Sequence, residues 1–111
     1  MLENRSCPAT EFLGSLGVKG FARLEKIFKM FLKRKADGGH LSQEKFKQVE
    51  DTDFYEFRDA DVRILCFFES GRLLLTHGFR KRGQRTPKRE LERARSLKKV
   101  YEERRAIPHD D

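Results

Sequence analysis

At 111 residues the chain has room for one domain, residues 1–111, with one modest core. Charged residues make up 39% of it, against about 25% in ordinary domains, and the net charge is +7. No run approaches the roughly 20 apolar residues that cross a bilayer, no signal-peptide pattern opens the chain, and Cys7 and Cys66 are too few for a disulfide framework or a zinc site. A cytoplasmic protein with no metal, no cofactor and no membrane contact is expected.

In chain order, Met1–Ser6 gives no clear pattern. Phe12, Leu13 and Leu16 suit a short helix that Gly17 ends. Phe21, Leu24, Ile27, Phe28, Phe31 and Leu32 then recur at helical three-and-four spacing, with Arg23, Lys26, Lys29 and Lys33 on the opposite face. Asp37-Gly38-Gly39 breaks this helix, and the polar stretch to Asp53 reads as a loop or a short helical turn. Three runs rich in Phe, Leu, Ile and Val follow, at Phe54–Arg58, Val62–Glu69 and Arg72–Arg80, and read as strands. Ser70-Gly71 is a hairpin turn. Thr86-Pro87 opens a last helix, Thr as N-cap and Pro at its first position, with a narrow apolar stripe of Leu91, Ala94, Leu97 and Tyr101. The fold class is α+β: a small antiparallel meander, two N-terminal helices on one face and a C-terminal helix.

The pleat predicts which side chains meet. Tyr55, Phe57, Val62, Ile64, Cys66 and Phe68 should share the face against the helices. That selects a turn over Asp59–Val62, with Phe57 opposite Ile64 and Arg58 opposite Arg63. A Ser70-Gly71 loop sets Glu69 opposite Arg72, adds Leu73, Leu75, His77 and Phe79 to the buried face, and brings Gly78 opposite Arg63. Arg58, Arg63 and Arg80 then converge on the open face beside Glu56. A bulge at the second turn would instead shift the third strand by one and exchange the faces of His77 and Arg80.

Charge is uneven along the chain. Phe79–Arg105 holds twelve Lys/Arg against four Asp/Glu, and the remainder thirteen against fourteen. A polyphosphate partner, nucleic acid or ribosome, suits such a segment, and a merely solvated helix is the plain alternative.

Phe54-Tyr-Glu-Phe-Arg58, Val62-Arg-Ile64, Thr76-His-Gly-Phe-Arg-Lys-Arg82 and Thr86-Pro87, with Glu90 and Ala94 after them, together resemble the phage-derived branch of the RelE/HigB toxins. The likeness covers roughly Phe12–Arg95. It implies an antiparallel sheet with helices on one face and RNA on the other. It also implies a ribosome-dependent messenger-RNA endoribonuclease, paired with an acidic or helix-turn-helix antitoxin. The family's central strand arginine falls on Arg63, its Glu-x-Arg on Glu56 and Arg58, and its strand-end basic pair on Lys81 and Arg82. Two departures stand out. The family's opening strand has little to build it in Met1–Ser6, and Lys88 and Arg89 stand where many relatives carry a proton-transferring Tyr or His.

Metal-independent RNA cleavage needs a base for the 2′-hydroxyl, cations on the phosphate and an acid for the leaving 5′-oxygen. Arg63 and Arg80 suit the cationic role, because guanidinium grips phosphate through paired hydrogen bonds, and Arg58 and Lys81 join them as catalytic candidates. Glu56 is a candidate base, or equally a salt-bridge partner that separates the arginines. Arg82, Arg85, Lys88 and Arg89 are candidate RNA contacts. Phe67, apolar on the open face with Phe54 and Leu65, would stack on bases or meet the antitoxin. His77 reads as a core histidine, and His40 and His109 as solvated. A non-catalytic RNA- or ribosome-binding module and an inactive toxin remnant are the competing readings.

Overall fold

The computed structural model describes residues 8–39, 41–42, 44–81, 83 and 85–106. Met1–Ser6, Cys7, His40, Arg82 and His109 lie outside them, so the expectations placed there have no structural counterpart. The order is α1 (Pro8–Gly14), α2 (Gly17–Ala36), β1 (Phe46–Gln48), β2 (Tyr55–Asp59), β3 (Val62–Glu69), β4 (Arg72–Arg80) and α3 (Lys88–Ala106). The strands form one antiparallel sheet in the order β1-β2-β3-β4, so the α+β meander is as expected, with β1 added.

Local chemistry explains most boundaries. Gly17 turns the chain between α1 and α2 at φ +78, a conformation that costs glycine little. α2 stops where the N–H groups of Asp37, Gly38 and Gly39 fold back onto the carbonyls of Lys33, Lys35 and Arg34. Ser70 and Gly71 both have positive φ, which matches the right-handed twist of the strands they join.

The sheet is buried on both faces. Leu24 and Ile27 of α2 pack with Phe57, Val62, Ile64 and Cys66, and Phe12 and Leu13 of α1 extend this core. Phe28 and Phe31 meet Phe57 edge-on at 4.9 and 5.4 Å between ring centroids. On the other face α3 lays Ala94, Leu91 and Tyr101 over Phe54, Leu65, Phe67 and Phe79. The open face expected there is therefore half covered. Phe67 is 2% exposed and belongs to a second core, so it is not presented to RNA bases in this conformation.

Register follows expectation through β2 and half of β4. Phe57 faces Ile64, Arg58 faces Arg63, and Glu69 faces Arg72. The pairing then slips by one residue, because Cys66 faces Leu75 and Leu65 faces His77. The shift lies within β4 at Thr76 rather than at the turn. Its hydroxyl donates to the Leu65 carbonyl at 2.9 Å, which satisfies an acceptor beside the interrupted ladder.

Beyond the bulge the faces exchange. Gly78 faces Ile64 instead of Arg63 and turns toward α1, where an added Cβ would overlap Phe12 and Ile64. Phe79 takes the place opposite Arg63. Arg80 faces Val62, on the α1–α2 side, and pairs at 3.1 Å with Asp61 on the surface, so it does not join the arginine cluster. His77 is buried as expected, but beneath α3 rather than beneath α1 and α2.

Candidate functional site: a cationic cleft built around Glu56

Covering only part of its face, α3 leaves the Glu56 end of the sheet beside a cleft of about 490 Å³. Lys47 on β1, Glu56 and Arg58 on β2, Lys81 just past β4, and Arg85 and Thr86 before α3 line it, with Glu50 and Asp51 among the other lining residues. Four cations thus converge from four segments far apart in the chain.

Glu56 holds the cluster together. It is 3% exposed, and its Oε1 lies 3.4 Å from Nε of both Arg58 and Arg63. Its Oε2 accepts a hydrogen bond from the Thr86 hydroxyl at 2.9 Å. Opposed charges bring two arginines together that would otherwise repel across the Arg58–Arg63 pair.

Arg63 sits deeper than expected. It is buried, and its Nη1 donates to the carbonyls of Ala60 at 2.6 Å and Val62 at 2.9 Å. It thereby clasps the β2–β3 turn, where Ala60 has a left-handed φ of 52. Burial and the neighbouring Arg58 lower its pKa from the ordinary arginine value. Arg63 supports the cleft from behind, while Arg58 lines it.

Lys81 is anchored at its backbone, whose N–H donates to the Asp61 carbonyl at 2.6 Å. Burial is the first cause that loosens its ammonium proton below the usual lysine range; Arg63, Arg58 and Lys47 add to it, and Glu56 opposes. Of the other sequence candidates, Arg85 lines the cleft, and Lys88 and Arg89 are exposed on the first turn of α3. Lys47 was missed, because the three-residue β1 carries too little apolar alternation to be read as a strand.

His77 is a second polar link to α3. Its Nε2 lies 2.9 Å from Oε1 of Glu90, and its Nδ1 lies 3.3 Å from the Thr76 hydroxyl. Burial, the largest cause, lowers its pKa; the Glu90 hydrogen bond opposes this and Arg93 adds to it. Cys66 is fully buried, and burial pushes its thiol far above the usual range.

Among the described residues no group of three or more His, Cys, Asp or Glu side chains could hold a metal ion, and no helix is long and apolar enough to cross a membrane. The arrangement can bind a phosphodiester through several cations, orient it against a fixed carboxylate and exchange a proton at Lys81. The family model described as phage derived protein Gp49-like (DUF891) matches residues 22–99, from α2 through most of α3. No curated protein matches the chain.

Proposed function

Because the chain belongs to the phage-derived Gp49-like family, we propose that it is the toxin of a type II toxin–antitoxin pair, an endoribonuclease that cuts messenger RNA on the ribosome. The Gp49-like family falls in general within the RelE-like toxin superfamily, and the HigB branch is the part of it proposed for this chain. The observation that carries the reading is the convergence of Lys47, Arg58, Lys81 and Arg85 on one cleft beside Glu56. A core has no use for such a cluster, whereas a polyanionic substrate does.

In this reading Arg58, Lys81 and Arg85 hold the scissile phosphate. The 2′-oxygen attacks phosphorus and the bond to the 5′-oxygen breaks, leaving a 2′,3′-cyclic phosphate and a 5′-hydroxyl. The proton lost by the 2′-hydroxyl is matched by one gained at the 5′-oxygen. Lys81 is the candidate for proton transfer because it lines the cleft beside Glu56 and Arg58, and burial lowers its pKa. Glu56, enclosed by Arg58, Arg63 and Thr86, suits orientation of the cations better than removal of a proton. The protein acts in the cytoplasm, needs no metal or cofactor, and is held silent by a cognate helix-turn-helix antitoxin.

The test is purified protein added to ribosomes programmed with a defined message, with new RNA ends mapped. New ends are expected, reduced about 10²–10³-fold by Lys81→Ala. Binding without cleavage would replace the enzyme with an RNA- or ribosome-binding module. A protein that neither binds nor cuts, and that co-purifies with no neighbouring gene product, would be an inactive remnant.

A further inference from the structure

Sequence pattern gives Thr86 the task of capping α3, but the structure directs its hydroxyl elsewhere. The first backbone bonds of α3, from the N–H groups of Glu90 and Leu91, go to the Pro87 carbonyl at 3.0 and 3.3 Å. The Thr86 hydroxyl donates across 30 positions of sequence to Glu56. It lines the same cleft as Glu56, Arg58, Lys81 and Arg85. We infer that Thr86 is a positioning residue: its hydroxyl fixes the Glu56 carboxylate, and through it the Arg58 guanidinium that meets the substrate phosphate. The inference rests on the phosphodiester-cleaving reading above.

A carboxylate with contacts on one oxygen alone can still pivot about its terminal bond. Oε1 faces Arg58 and Arg63, and Thr86 holds Oε2, so the plane is fixed from both sides. Arg58 then presents its charge to the cleft in one orientation. Arg63 is set independently by the Ala60 and Val62 carbonyls, so the hydroxyl bears chiefly on Glu56 and Arg58.

Thr86 also begins the segment whose Leu91 and Ala94 pack on Leu65 and Phe67, so the seating of α3 reaches the charge cluster through one hydrogen bond. Preorganised charge acts on a transition state only when it is held in place, and small misplacements are costly in rate.

The experiment compares the wild type, Thr86→Val and Thr86→Ser. Valine keeps the branched shape without the hydroxyl, and serine restores the hydroxyl. On programmed ribosomes Thr86→Val is expected to lower the maximal cleavage rate at least tenfold while the half-saturating ribosome concentration changes less than twofold. Thr86→Ser is expected within threefold of wild type. A Thr86→Val protein that cuts at the wild-type maximal rate overturns the inference, as does a Thr86→Ser protein as slow as Thr86→Val.

A second arm does not depend on cleavage. In urea unfolding, Thr86→Val and Glu56→Gln should be non-additive by at least threefold in the unfolding constant. Additivity overturns the link itself. A wild type that cuts nothing while the two changes remain coupled removes the enzymatic reading and leaves Thr86 the anchor of Glu56.

Discussion

Replacing Glu56 with Gln removes one negative charge and leaves its volume almost unchanged. The side chain is 5% exposed and faces Arg63 and Arg58, whose side chains are 10% and 25% exposed. Removing one member of a fully buried ion pair costs about 3–5 kcal/mol, because the partner charge stays behind without compensation. Here the cleft admits water beside Arg58, and Arg63 keeps its bonds to the Ala60 and Val62 carbonyls. The loss is therefore placed at about 2–3 kcal/mol, which for a chain of this size lowers Tm by roughly 8–15 °C. The assay is urea and thermal unfolding of wild type and Glu56→Gln, with and without inorganic phosphate. An anion that enters the cleft takes over the role of the missing carboxylate, and at a hundredfold excess over Kd it restores about 2.7 kcal/mol. Phosphate should thus stabilise the variant more than the wild type. A loss below about 1 kcal/mol, or equal gains from phosphate in both proteins, would refute the argument that one carboxylate restrains these cations.

Three further outcomes follow from the same geometry. Gly78→Ala should destabilise by about 1–3 kcal/mol in a urea melt, since its Cβ overlaps Phe12 and Ile64; a neutral result would contradict the face exchange after Thr76. His77 has a folded pKa below its unfolded value, so its contribution to stability is complete above the unfolded pKa near 6.5 and is lost as pH falls from there toward the folded pKa. His77→Gln should flatten that acid limb of the stability profile measured by unfolding at a series of pH values. In a Cys7→Ser background, Cys66 should resist a thiol reagent until the protein unfolds, because its thiol is buried and its ionisation is pushed up; rapid labelling of the native protein would show that the sheet opens locally.

The strands were legible because their chemistry is local. Val62–Glu69 and Arg72–Arg80 coincide with the observed β3 and β4, and the Arg58–Arg63 pairing followed from the requirement that apolar residues share a face. The bulge at Thr76 is set by partners distant in sequence, Phe12 beneath Gly78 and Glu90 beside His77, and no periodicity within β4 announces it. The covering of the second face did leave a trace. β3 is apolar at Leu65 and Phe67 as well as at Ile64 and Cys66, a nearly continuous run that suits a strand buried on both sides.

Glu56 and Arg58 were legible as a pair in sequence, and Lys81 and Arg85 lie in the basic C-terminal segment. Their meeting place was not legible, because Lys47 and Thr86 reach it only through the tertiary fold. Nor does charge along the chain equal charge on the surface. α2 carries seven basic residues and one acidic one, so the positive surface is not confined to the C-terminal quarter.

The extra residue at Thr76 also changes how length variation in this strand is tolerated. Leu73 and Leu75 serve the α1–α2 core, whereas Phe79, at the same odd parity, serves the core beneath α3. Deleting Thr76 would restore strict alternation and leave every position from His77 to Arg80 on the face it now occupies, because His77 would follow Leu75 directly and still stand opposite Leu65. Phe79 would stay beneath α3, the imidazole beside Glu90 and Gly78 against Phe12, and the loss would be the Thr76 hydroxyl bond to the Leu65 carbonyl. The bulge is thus a length buffer: a strand one residue shorter at this point keeps both cores and the cleft and gives up one hydrogen bond. Relatives in which this strand is one residue shorter at the bulge should keep the same contacts with both α1 and α3.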